Sequence, residues 1–99
     1  MNERDLLKQH ILNLNEKSRA WMDAAPEGEY RAAAIWDDTD IDFRMNNCGV
    51  KTPADWDALL AWEEYYDVYK AHNGISPRWT KWSERTAEEW EKEIELLGL

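Results

Sequence analysis

Residues 52–74 read TPADWDALLAWEEYYDVYKAHNG, and this stretch decides the fold. The Thr52 hydroxyl can accept a backbone N–H at a helix start, Pro53 has no N–H to lose at the first helical position, and Asp55 can answer the cap as in a capping box. No glycine or proline interrupts the chain from there to about His72, and Asn73-Gly74 then offers the left-handed conformation that ends a helix. Ser76-Pro77 cannot continue it. At about 100° per residue, Ala58, Trp62, Tyr65, Tyr66 and Tyr69 share one broad face, Trp56 and Leu60 lie on another, and Glu63, Asp67 and Lys70 form a stripe near the second group. A helix apolar on several sides belongs in the middle of a helical assembly, where the first and last helices can pack on it.

Toward the N-terminus, Leu7, Ile11, Leu14, Trp21 and Ala25 recur at helical steps from about Glu3 to Ala24, with Leu6 and Met22 beside them. Asn2 can cap this amphipathic helix, Glu3 and Asp5 suit the positive end of its dipole, and Pro26 with Gly28 stops it. Toward the C-terminus, Thr86-Ala87-Glu88-Glu89 is a full capping box that opens a last helix with Trp90, Ile94 and Leu97 on one face, up to Gly98. Between these, the alanine-rich Glu29–Trp36 (EYRAAAIW) reads as a short second helix. In DDTDIDFRMNNCGV (residues 37–50), Ile41, Phe43 and Met45 alternate with Asp42 and Arg44. A lone strand would have no partner in this chain, so the segment reads as an extended or turn-rich connection. The expected architecture is therefore all-α, a small bundle of three to four helices with an irregular or short extended segment near residues 37–50. A chain of 99 residues buries somewhat over ~60% of its unfolded surface, enough for a single domain over residues 1–99.

The charge layout carries more information than its sum. The chain has 21 acids, 12 Lys and Arg residues and a net charge of -9, which opposes general nucleic-acid binding because releasing counterions from phosphates requires a basic surface. Residues 37–67 hold nine acids and two bases, whereas residues 68–85 hold one acid, Glu84, and four bases, Lys70, Arg78, Lys81 and Arg85, with His72 among them. The run YKAHNGISPRWTKW (69–82) thus joins positive charge, a turn signal and two tryptophans. Cys48 is the only cysteine, which excludes an internal disulfide and suits a reducing compartment. No apolar run has signal-peptide length, and none approaches a membrane span. The cytoplasm is the expected location, with no membrane partner.

Most chemistries find no residues to carry them. Asp38, Asp40 and Asp42 repeat the opening of a calcium loop, but its sixth position is Phe43 instead of glycine and its twelfth is Gly49 instead of a bidentate glutamate. Cys48, His10 and His72 stand apart, without the paired spacing of a zinc site. Nothing places a nucleophile beside an oriented base, and the glycines at 28, 49, 74 and 98 are too scattered to cradle a phosphate. The expectation is no enzyme, no metal and no cofactor.

The stretch YDVYKAHNGISPRW (Tyr66 to Trp79), followed by the threonine-capped acidic helix TAEEWEKEIELL, resembles a group of small acidic proteins of tailed bacteriophages and related mobile elements. That group is associated with a Tyr-Lys-x-x-x-x-Gly-aliphatic-x-Pro-Arg core, to which Tyr69-Lys70, Gly74-Ile75 and Pro77-Arg78 correspond here with three residues instead of four before the glycine, and the resemblance covers roughly the last third of the chain. It implies the cytoplasm of a bacterial host as the setting. By analogy with small acidic phage proteins, it also implies inhibition or redirection of a host factor, a defence or nucleic-acid-handling protein, by occlusion of its surface, with partial imitation of DNA charge.

Two kinds of contact surface follow from the residues. Asp37, Asp38, Asp40, Asp42, Asp55 and Asp57, with Glu63 and Asp67 of the central helix, would meet a basic site on a partner protein, and the aromatic side chains would supply desolvated anchors. Arg78, Trp79, Lys81 and Trp82 carry the mixture of ring and cation used by single-strand binders, and so define an alternative nucleic-acid or nucleoprotein accessory. Their blander role is packing, with the rings under the last helix and the cations paired with neighbouring acids. A structural or assembly protein that self-associates through the aromatic helix is the third reading.

Overall fold

The caps read in the sequence open and close the helices where expected. A computed structural model describes residues 1–98, with α1 at Glu3–Asp23, α2 at Asp38–Phe43, a π-helical turn at Arg44–Cys48, α3 at Pro53–Asn73, a 3-10 turn at Trp82–Glu84 and α4 at Ala87–Leu97. There is no strand among the described residues, so the fold class is all-α. Asn2 accepts the Asp5 N–H at the start of α1, and capping boxes pair Thr52 with Asp55 and Thr86 with Glu89. Gly74 ends α3 at φ 75°, a left-handed conformation open to glycine, and gives its N–H to the Lys70 carbonyl.

Contacts divide the chain into two compact units, Met1–Lys51 and Thr52–Leu99. In the first, α1 packs against α2, and Leu7, Ile11, Ile41 and Val50 are buried. Position 15, where the apolar stripe of α1 would continue, is an asparagine that is 2% exposed. Both ends of its amide are engaged: Nδ2 donates to the Trp36 carbonyl and Oδ1 accepts the Trp36 N–H, both at 2.8 Å.

Two expectations for the segment between α1 and α3 are corrected. Residues 29–36 are not a helix, because the Trp36 backbone donor and acceptor are taken by Asn15 and Arg31 reaches back to the Trp21 carbonyl at 3.0 Å. Three small alanines offer little apolar surface to offset the lost backbone bonds. Residues 38–48, expected to be irregular or extended, are helical instead. Asp37 accepts the Asp40 N–H while Asp40 accepts that of Asp37, a capping box made of two aspartates. The alternation of Ile41, Phe43 and Met45 is not a strand period: Ile41 is buried, whereas Phe43 is 59% exposed. The π turn closes at Gly49, φ 79°, and the Val50 N–H returns to the Arg44 carbonyl.

In the second unit, α4 lies along α3. Ala61, Tyr65 and Trp90 form a core cluster on which Trp62, Tyr69, Ala87, Ile94 and Leu97 pack, and Trp56, Ala58 and Leu59 of α3 are buried as well. The Tyr65 and Trp90 rings are 5.0 Å apart. Burial, reinforced by the nearby Glu93 charge, pushes the Tyr65 hydroxyl above its ordinary pKa and keeps the phenol neutral. Trp90 donates its indole N–H to the Trp82 carbonyl at 2.9 Å, tying the 3-10 turn to α4.

Asn15→Ala removes both halves of the clasp and leaves two backbone groups of Trp36 to find new partners. A loss of about 2 kcal/mol is expected in urea unfolding, within the range for a part-buried polar pair left unmatched. Asn15→Asp keeps the acceptor but sets an acceptor-only oxygen against the Trp36 carbonyl in a buried site, and at neutral pH should cost at least as much as the alanine.

Candidate functional site

The acidic cluster of the first unit is largely engaged within that unit. Arg4 donates through Nε to Asp42 at 3.0 Å and lies 4.0 Å from Asp38, and the Lys8 ammonium donates to Asp38. These cations reach across 30 and 38 residues of sequence. The Lys8 hydrogen bond, helped by the Lys8 and Arg4 charges, holds the Asp38 carboxyl below the usual carboxylate range despite an opposing effect of desolvation. The Asp42 hydrogen bond holds the Arg4 guanidinium more firmly in its charged form. Asp37 and Asp40 cap α2. Of the four carboxylates of this unit expected to face a partner, two are therefore paired with α1 and two are hydrogen-bonded to backbone.

The central-helix acids divide in the same way. Asp55 is spent on the α3 cap and Asp57 is half-buried, whereas Glu63 and Asp67 are exposed. Beside Asp57, α3 and α4 leave an open groove of about 480 Å³, with Leu60, Ala61 and Ala87 in its lining and Glu64, Glu88 and Glu91 along it. A second groove of about 550 Å³ shares Asp57, Ala87 and Glu88 and extends over the start of α4 past Trp82 and Arg85. Glu64, Glu88 and Glu91 are exposed and form no salt bridge among the described residues. The sequence reading passed over these three. Their only signal was position: Glu64 falls one helical turn from Leu60, and Glu88 and Glu91 flank Trp90 on the outer side of the capping box.

The four basic-aromatic residues do not act as one group. Trp82 is half-buried, and its carbonyl receives the Trp90 N–H, so it belongs to the packing of α4. Trp79 is 61% exposed and meets Tyr69 edge-on at 5.4 Å. Arg78 and Lys81 are exposed, and neither they nor Lys70 and His72 form a salt bridge among the described residues. Arg85 alone of the segment is paired, with Glu93 at 3.4 Å, and lies 5.6 Å from the Trp90 ring centre. The loop is fixed from below. Pro77 is buried, its carbonyl accepts the Thr80 hydroxyl at 2.7 Å, and that hydroxyl in turn accepts the Trp62 indole N–H at 2.9 Å.

Among the described residues no three His, Cys, Asp or Glu side chains are grouped as a metal would need, and no helix is long and apolar enough to cross a membrane. Asp38 and Asp42 turn toward cations instead of toward each other. No protein-family model, curated protein or solved structure matches the chain.

Two outcomes follow. Thr80→Val preserves shape but strands the Trp62 donor and one bond to the Pro77 carbonyl; a loss of about 1–3 kcal/mol in urea unfolding is expected, with faster amide exchange at Arg78 and Thr80. Asp38 has a folded pKa below its unfolded one, so its stabilising effect is complete above the ordinary carboxylate range and disappears as pH falls through the depressed value. Carbon-13 titration of the carboxyls should show Asp38 titrating low and Lys8→Met moving it upward, with Glu89, lowered by the Thr86 N–H, unmoved.

Proposed function

We propose that this protein is a non-enzymatic binding protein that occupies a basic surface of a bacterial host factor through the groove between α3 and α4. The observation that carries the reading is the set of exposed carboxylates of Glu64, Glu88 and Glu91 beside the apolar Leu60, Ala61 and Ala87. Lysine and arginine suit such a surface, because their aliphatic stems can cover apolar side chains while their charged ends reach carboxylates. Among the acids first expected to make the contact, Asp38 and Asp42 are already matched by Arg4 and Lys8, and separating them would forfeit those pairs. The contact is therefore assigned to α3 and α4 in preference to α2.

The bacterial host and the inhibitory outcome rest on the resemblance of residues 66–79 and the following acidic helix to small phage proteins. Occlusion suits an open groove, since a shallow surface can cover a partner without enclosing a substrate. Long-range attraction between the net charge of -9 and a basic partner would hasten encounter, and the groove would supply the short-range fit.

Affinity capture from bacterial lysate should retrieve one dominant partner. The double change Glu64→Lys with Glu91→Lys is expected to reduce recovery about tenfold or more, as for reversed charges at a complementary interface. Asp38→Asn with Asp42→Asn should leave recovery within about threefold, because carboxylates engaged inside the fold contribute only at long range. No partner, or equal loss from both pairs, would refute the assignment.

A further inference from the structure

We propose that the basic loop after α3 seats in the acidic α3–α4 groove of a second copy of this chain. Lys70, Arg78 and Lys81 are exposed cations without a salt bridge among the described residues, although they share a unit with many carboxylates. The apolar tips of Ile75, 60% exposed, and Trp79, 61% exposed, stand among them. Thr80 and the buried Pro77 hold the backbone, and Tyr69 holds the Trp79 ring edge-on. An aromatic anchor held in place before contact loses little entropy on binding. The loop thus presents cations around an apolar tip, and the groove presents carboxylates around apolar side chains.

The second copy is favoured over other anionic occupants by complementarity already present in the chain. A single-stranded nucleic acid would need successive rings along a basic track, whereas here one exposed tryptophan is joined by an aliphatic residue, and the chain beyond the loop repels phosphate. Two copies with a net charge of -9 each also repel, but that long-range force is screened over about 8 Å at physiological ionic strength, while loop and groove charges meet at contact distance. The contact uses the groove assigned above to the host partner and rests on that reading of it. Self-association would mask the groove until a partner displaces the loop.

Charge exchange tests this directly with the full chain. Light scattering from micromolar to millimolar concentration should show a mass that rises above the monomer and falls back in high salt. Arg78→Glu with Lys81→Glu should stay monomeric, as should Glu64→Lys with Glu91→Lys, and an equimolar mixture of the two should associate again. Trp79→Ala should weaken association about tenfold, the loss typical of an interface anchor. Circular dichroism verifies that each variant is folded, and the neutral pair Glu64→Gln with Glu91→Gln replaces the lysine pair if it is not. A monomeric wild type, association indifferent to every charge change, or tryptophan quenching by a single-stranded oligonucleotide without self-association would each overturn the proposal. The Arg78→Glu, Lys81→Glu protein keeps its groove and should still capture the host partner, so loss of self-association and loss of the partner are read separately.

Discussion

The α3–α4 interface depends on the buried ring of Trp90. Trp90 lies against Tyr65 in the α3–α4 interface, and its only polar atom reaches out of that interface to the Trp82 carbonyl. A large apolar body with a single N–H is suited to both tasks, since the ring joins two helices while the donor fixes the chain that links them. Replacing such a ring by a small side chain typically costs about 3–5 kcal/mol, a large part of the net stability of a small domain. The 3-10 turn, the start of α4 and the groove along it all take their position from this contact.

Charge is distributed by a different logic in the two units. In the first, carboxylates and cations from distant parts of the sequence meet, so a dense acidic run in α2 is matched by the first turns of α1. Exposed pairs of this kind contribute little stability singly, and the residue of α2 that is fully buried is Ile41. In the second unit, cations gather after the C-terminus of α3 while carboxylates line α3 and α4. Only Arg85 of these cations is paired inside the unit, with Glu93, among the described residues.

What could be read from the sequence was local. Asn2, Thr52 and Thr86 mark helix starts through hydrogen bonds confined to a few residues, and Gly74 marks an end through its own backbone, so all four were legible. The segment between α1 and α3 was not, because its structure is imposed from outside. Asn15 removes Trp36 from any helix, and Arg4 and Lys8 of α1 draw Asp38 and Asp42 of the apparent calcium loop toward themselves. The candidate contact surface was half legible for the same reason. Basic loop residues announced themselves by composition, whereas the groove required α4 to be laid beside α3 before Glu64 and Glu91 could be seen along one opening.

The Asn15 clasp places its demand on the chain unevenly. It reads an N–H and a carbonyl, groups that every residue except proline provides in the same form, and is blind to the indole at position 36. Selection for the clasp therefore acts on residue 15 and leaves residue 36 to be chosen by other contacts, such as the Arg44 guanidinium 4.8 Å from its ring. A buried asparagine can thereby hold a loop whose side chains remain free to diverge.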